Sequence, residues 1–306
     1  MFQIAVLVAE HFLLPALFVF WLWKRQYPTL VDWLAMVGLV GGYIARLYFT
    51  GEWHWFGVYF REVWVVLWII ATGRSLFRLR GVPLWQKHTP REYLGLIFSG
   101  FFAVLFGLLA VWADYGHAYH SGEPLRLHFP LKGHGYHIIH GGDSPLINQH
   151  HRLRSPLRYS IDVVKLYPGG TRANGLAPDA LSEYAIMGDT VYSPCAGVVA
   201  TAEDSLPDHP PFEIDTAAAR VAGNHLVLRC GESYVVLAHL QRGSLRVQPG
   251  DTVTVGQPLA QVGNSGFSAE PHLHIHACKG GGNPILEGEP QPILFEGRFL
   301  VRNDRW

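Results

Sequence analysis

The chain has 306 residues, with 24 Lys and Arg balanced by 24 Asp and Glu, and three cysteines. That balance argues against a nucleic-acid partner, because no surplus of positive side chains can displace counterions from phosphates. Three cysteines allow at most one bridge, which excludes a disulfide-stapled scaffold. At roughly 150 residues per domain the length fits about two folding units. Composition divides the chain in the same sense: residues 1–115 hold 9 of the 10 Trp and 3 of the 17 His, and residues 116–306 hold the other 14 His.

In chain order, the first unit reads as a helical transmembrane bundle with four expected spans, 4–23, 30–48, 56–73 and 93–113. The last has 21 residues without a charge, long enough at about 1.5 Å per residue for a hydrocarbon core of about 30 Å. Glu10 and His11 interrupt the first, and are expected near an interface or paired inside the bundle. Asp32 and Arg46 sit near the ends of the second, where side chains can snorkel. Arg61 and Glu62 make the third the weakest. Four spans put Lys24 and Arg25 on the same side as the loop carrying Arg74, Arg78, Arg80, Lys87 and Arg91, and an excess of basic residues marks the cytoplasmic side. Both termini and everything after Asp114 are then extracytoplasmic. The first run ends in Trp21-Leu22-Trp23-Lys24-Arg25 rather than in small residues, so it is expected to stay attached.

From about residue 120 short runs of β-branched and aromatic residues alternate with Gly, Pro, Asp and Asn, which is strand-and-turn punctuation. Strands are expected at 136–140, 159–165, 197–201, 224–229, 233–239, 252–255, 258–262 and 272–277. With no long amphipathic helix between them, residues 116–306 read as a mainly antiparallel β domain. Residues 203–221, with three prolines, read as a surface insertion. Burial is expected for Cys195, Cys230 and Cys278, with their pairing open.

Three places carry chemical potential. In Pro271-His272-Leu273-His274-Ile275-His276, the period of a strand projects the three imidazoles to one face and the two aliphatics to the other. His239 ends the apolar run Leu237-Ala238. Asn148-Gln149-His150-His151 precedes Asp162, a carboxylate inside an apolar strand, which needs an opposite charge or a metal to offset burial. A catalytic Zn²⁺ site takes three nitrogen or oxygen ligands and leaves one position to water. One histidine of the 148–151 cluster, Asp162 and one histidine of the 272–276 strand would fill that set, and spacing alone does not choose the histidines. Two others would remain to handle the proton of water and the oxyanion in amide hydrolysis.

These stretches resemble the lysostaphin-type (LytM-like) zinc metalloendopeptidases, many of which cut peptidoglycan cross-bridges. The matching residues run in the family's order over roughly 125–300: Tyr159-Ser160-Ile161-Asp162, Gly188-Asp189, Gly223-Asn224-His225, Leu237-Ala238-His239-Leu240, Gly263-Asn264-Ser265-Gly266 and Pro271-His272-Leu273-His274. The resemblance implies an antiparallel β domain of the duplicated hybrid motif type, Zn²⁺ held by Asp162 and His274, and His239 and His272 as catalytic histidines. The family's short spacing would put the first ligand at Arg158, which cannot serve. A longer-spaced subgroup with Asn-x-His matches Asn148-Gln149-His150, making His150 the expected first ligand and His151 its competitor. On that assignment His151 opens a basic run with Arg152 and Arg154 that faces solvent or an anionic substrate. His276 stands where the family commonly has an acidic or other polar residue.

The implied function is a membrane-anchored, zinc-dependent endopeptidase acting on peptidoglycan peptides at the periplasmic or outer side of the cytoplasmic membrane. A regulatory membrane partner is left unidentified. The alternative is a catalytically degenerate LytM-like domain that binds cell-wall peptide or a partner and regulates another hydrolase. A phosphocarrier domain, which also uses facing histidines, conflicts with the basic loops.

Overall fold

The computed structural model describes residues 2–151, 157–217 and 220–306. It divides into two compact units, residues 1–53 with 59–114, and residues 54–58 with 115–306.

The first unit is helical. Phe2–Val8 and Leu14–Lys24 are joined by the π-helical turn Ala9–Leu13, just ahead of Pro15, a residue without an N–H whose ring disfavours a regular preceding turn. Thr29 starts helix Leu30–Thr50, its hydroxyl accepting from the Asp32 N–H at 3.2 Å. Thr89 and Glu92 form a reciprocal capping box at the start of Pro90–Tyr115. Helices over Gln3–Lys24, Leu30–Thr50 and Pro90–Tyr115 are long and apolar enough to cross a membrane. The expected third span corresponds to the shorter helix Phe60–Leu76, of 17 residues. Its first residues, 56–58, join the second unit instead, where Val58 donates to the Gly170 carbonyl and Arg172 to the His54 carbonyl. Glu10 pairs with Arg46, and His11 accepts from the Glu52 N–H at 2.9 Å. The two polar residues of the first helix are thus satisfied inside the helical unit.

The second unit is built on an eight-stranded sheet. Its strands run in the order Tyr136–His140, Ile161–Lys165, Leu273–Lys279, Ser233–Leu240, Asn224–Cys230, Gly197–Glu203 and Thr252–Val253, and Glu289–Pro290 pairs with Leu273–Lys279. The pairings within it are antiparallel. Two smaller sheets add Thr190–Tyr192 with Pro258–Gln261, and Leu125–Leu127 with Ile293–Phe295 and Arg298–Phe299, the first two of these last three running parallel. The central strands alternate as a pleat requires. Leu226, Leu228, Val235, Leu237, Leu273, Ile275 and Ala277 enter one core, and Val227, Val236 and Ala238 form a smaller cluster on the other face with Ile285 packed against it. Strand Leu273–Lys279 is therefore covered on both sides, and its histidines, on the face opposite Leu273 and Ile275, are buried rather than solvated. Cys195 and Cys230 are joined in a disulfide, and Cys278 is buried and free.

Candidate metal centre

The centre is assembled from three chain segments. Asp162 follows the first residue of Ile161–Lys165, where register sets it opposite His274 on one neighbouring strand and His140 on the other. His274 belongs to Leu273–Lys279. The third segment is a turn: Asn148 donates through its backbone to the Ser144 carbonyl at 2.9 Å, and His151 to the Asn148 carbonyl at 3.2 Å. One ligand atom from each of His151, Asp162 and His274 lies within 4.8 Å of the others. His151 Nε2 is 3.5 Å from Asp162 Oδ2, and His274 Nδ1 is 2.9 Å from Asp162 Oδ1.

The two candidates for the first ligand are placed differently. His150 is exposed, its ring against His140 at 4.4 Å, and the histidine that meets Asp162 is His151. Asn148 explains the choice. Its amide nitrogen faces the carbonyls of Gly142, Arg158 and Ser160, each at 3.1 Å, so its oxygen accepts from His151 Nδ1 at 2.9 Å. With the hydrogen on Nδ1, the His151 lone pair is on Nε2, the nitrogen turned to Asp162. Residues 152–154, the expected basic run, lie outside the described residues.

His239 and His272 come together beside this trio, their ring centroids 4.7 Å apart, with His272 Nε2 3.7 Å from Asp162 Oδ1. Each is fixed through Nδ1 by a main-chain oxygen. His239 donates to the Ser265 carbonyl at 2.9 Å and His272 to the Glu270 carbonyl at 2.8 Å. Carbonyls only accept, so in both rings Nε2 is left as the basic nitrogen. His239 has a φ of 61°, a left-handed conformation that His tolerates better than most residues and that recurs at functional sites. Gly223 and Gly266 let the chain that carries Ser265 approach, since a Cβ on either would fall 2.3 Å from backbone atoms of Ser265 or Gly223.

The Glu270 carboxylate is gripped by Arg172, itself 1% exposed, whose guanidinium lies 3.5 Å from the centre of the Trp55 ring. Neither Arg172 nor Glu270 stands out in the sequence. The available signal was the position of Glu270, two residues before His272, but its arginine partner is 98 positions away.

Electrostatics follow burial. Burial alone would raise the Asp162 carboxyl, yet the imidazoles of His151, His272 and His274 hold it well below the usual carboxylate range. Burial pushes His151 and His276 each down to about 3, and His239 well below its ordinary value. A carboxylate together with imidazole nitrogens is the donor set that a borderline-soft divalent cation takes. A lone pair on His151 Nε2 and a carboxylate a few ångströms apart are reconciled by a cation between them, so the residues fit a metal ion.

A β domain carrying a buried His/Asp cluster with two further histidines beside it has the makings of a metallohydrolase. Residues 182–285, about a third of the chain, match the model of Peptidase family M23. That stretch includes His239, His272 and His274; His151 and Asp162 precede it. Comparison with curated proteins finds no match. Among solved structures, a zinc-containing peptidase from Vibrio cholerae is 23% identical over 49% of this chain, at TM-score 0.29. This chain spans 35% of that protein's length. The catalytic domain of lysostaphin from Staphylococcus simulans is 19% identical over 43% of this chain and 74% of its own, at TM-score 0.28. The catalytic domain of the prophage-encoded M23 protein EnpA from Enterococcus faecalis is 20% identical over 57% of this chain and 92% of its own, at TM-score 0.29.

Proposed function

We propose that this chain is a membrane-anchored zinc endopeptidase that hydrolyses peptide bonds in peptidoglycan outside the cytoplasm. The observation that carries the reading is the convergence of His151 Nε2, an Asp162 oxygen and His274 Nδ1 beside two histidines whose Nε2 atoms are left basic. His151, Asp162 and His274 would hold the ion. When bound, zinc supplies Lewis acidity for activating water and polarising the scissile carbonyl. The chain's own groups do the proton handling. One of His239 and His272, both fixed as Nδ1–H tautomers, accepts the proton of the attacking water at Nε2, and once protonated donates a hydrogen bond to the developing oxyanion or passes that proton to the leaving amine.

Placement outside the cytoplasm draws support from the basic loops, which a four-span reading puts on the cytoplasmic side, and from the Cys195–Cys230 disulfide, a bond that persists in oxidising compartments. The test is incubation of the detergent-solubilised full chain with muropeptides, with zinc and after chelation, followed by product masses. Zinc-dependent appearance of two cleaved peptide fragments is expected. Zinc bound at one per chain without turnover would turn the reading to a binding domain. A reporter fused after Trp306 is expected to be active only in its periplasmic form, and a cytoplasmic result would remove the cell-wall substrate.

A further inference from the structure

The histidine left over from the 272–276 run has a defined place. We propose that His276 is a positioning residue that sets the tautomer of His274, keeping its Nε2 protonated so that its Nδ1 lone pair faces Asp162 and His151. The inference rests on the metal-site reading of those three residues.

One end of this network is an atom that can only accept. The Pro284 carbonyl oxygen is 3.0 Å from His276 Nε2, so that nitrogen carries a hydrogen. The lone pair of the neutral His276 ring is then on Nδ1, which lies 2.9 Å from His274 Nε2. His274 must donate there, and its own lone pair falls on Nδ1, 2.9 Å from Asp162 Oδ1. The reverse polarity would need hydrogens on both His276 nitrogens, a charged ring at 2% exposure. Hydrogen-bond direction is thus passed from a main-chain carbonyl through two imidazoles to the metal-facing nitrogen. Without a cation or a proton, the last step would set a lone pair against a carboxylate at hydrogen-bond distance.

The fold supports each member of this chain. His274 and His276 are two apart on one strand and share a face. Register sets His276 opposite Val236 on the neighbouring strand, within the small apolar cluster that Ile285 packs against. The Pro284 carbonyl is presented by a loop tied to itself, with the Glu287 carboxylate accepting from the N–H groups of Gly282 at 3.0 Å and Asn283 at 3.2 Å, and the Asn283 side chain accepting from Ile285. Asn148 does the corresponding work for His151, so both imidazoles are held through the nitrogen that points away from Asp162.

The test measures zinc affinity of the full chain in detergent by competition with a chromophoric chelator, a readout independent of turnover. His276→Phe keeps a flat ring and removes the acceptor, and is expected to weaken zinc binding about 10- to 100-fold, the usual cost of losing an outer partner of a metal-bound histidine. His276→Gln keeps an acceptor oxygen and is expected to remain within a few-fold of wild type. Long-range ¹⁵N–¹H spectra of histidine-labelled wild-type protein should place the hydrogen of His274 on Nε2. Wild-type affinity in the Phe variant would overturn the proposal. So would a Gln variant as weak as Phe, which would assign the loss to packing. Should His276→Phe not fold, the Gln variant and the His274 tautomer decide. A wild-type chain that binds no zinc would instead sink the metal-site reading, a result distinct from tight wild-type binding that ignores His276.

Discussion

His151 and His274, which face Asp162, are each held from behind by a side chain, Asn148 and His276 respectively, whereas His239 and His272 are each held by a main-chain carbonyl. The two halves of the site therefore differ in what sets their hydrogen positions. A carbonyl can only accept, so for His239 and His272 the tautomer is a property of the fold and survives any single substitution of Ser265 or Glu270 that preserves the backbone. A side-chain acceptor can be replaced, so for His151 and His274 the lone-pair direction depends on two particular residues, and on the proposed reading metal affinity could be tuned without touching a ligand.

Substitutions can break that comparison, beginning with the residue both halves share. Asp162→Ala is expected to abolish both zinc retention and hydrolysis, because two imidazoles alone leave the ion undercoordinated. Metal analysis of the purified variant checks it, and wild-type zinc content would remove Asp162 from the ligand set. His239→Ala and His272→Ala are expected to keep one zinc per chain while turnover falls by about 10² or more, the scale of losing an acid/base or oxyanion group. Parallel loss of metal in either would erase the distinction between the halves.

A smaller effect sharpens it. Glu270→Ala leaves the carbonyl that holds His272 in place but strips the carboxylate from buried Arg172, so a loss of about 3 kcal/mol in urea unfolding is expected from the unpaired charge. The folded fraction should hydrolyse substrate far better than His272→Ala, and a turnover defect equal to that of His272→Ala would mean the carboxylate, not the carbonyl, governs the ring. The smallest effect is expected for His150→Ala. Zinc should stay stoichiometric and stability change by less than about 0.5 kcal/mol, as for an exposed side chain, while His151→Ala should lose the metal. The reverse pair of results would restore His150.

Much of the architecture was legible because it follows from local periodicity. The strands at 136–140, 224–230, 233–240 and 273–279 are marked by β-branched and aliphatic residues bounded by Gly and Pro. Asp162 announced itself as a carboxylate in an apolar strand, and His239, His272 and His274 by their spacing and resemblance; the structure brings all four together. Strands of two or three residues, such as Leu125–Leu127 and Arg298–Phe299, carry too little pattern to be read. Which of His150 and His151 turns toward Asp162 was not legible, for a definable reason. Opposite projection of neighbours holds on an extended chain, but residues 144–151 are wound into turns anchored on Ser144 and Asn148.

By itself the sequence determined the separation into an apolar helical part and a histidine-rich β part, because hydrophobic runs and period-two alternation are local properties that burial acts on directly. It also determined which residue types were present to hold a metal. Only the tertiary structure decided which nitrogen of which histidine faces Asp162. The tautomers are set by contacts that sequence spacing does not show: the Ser265 carbonyl for His239, 26 positions away, and for His151 an Asn148 amide whose orientation depends on the carbonyl of Ser160. Hydrogen-bond polarity is a property of closed networks, so it is fixed when the segments meet and not before.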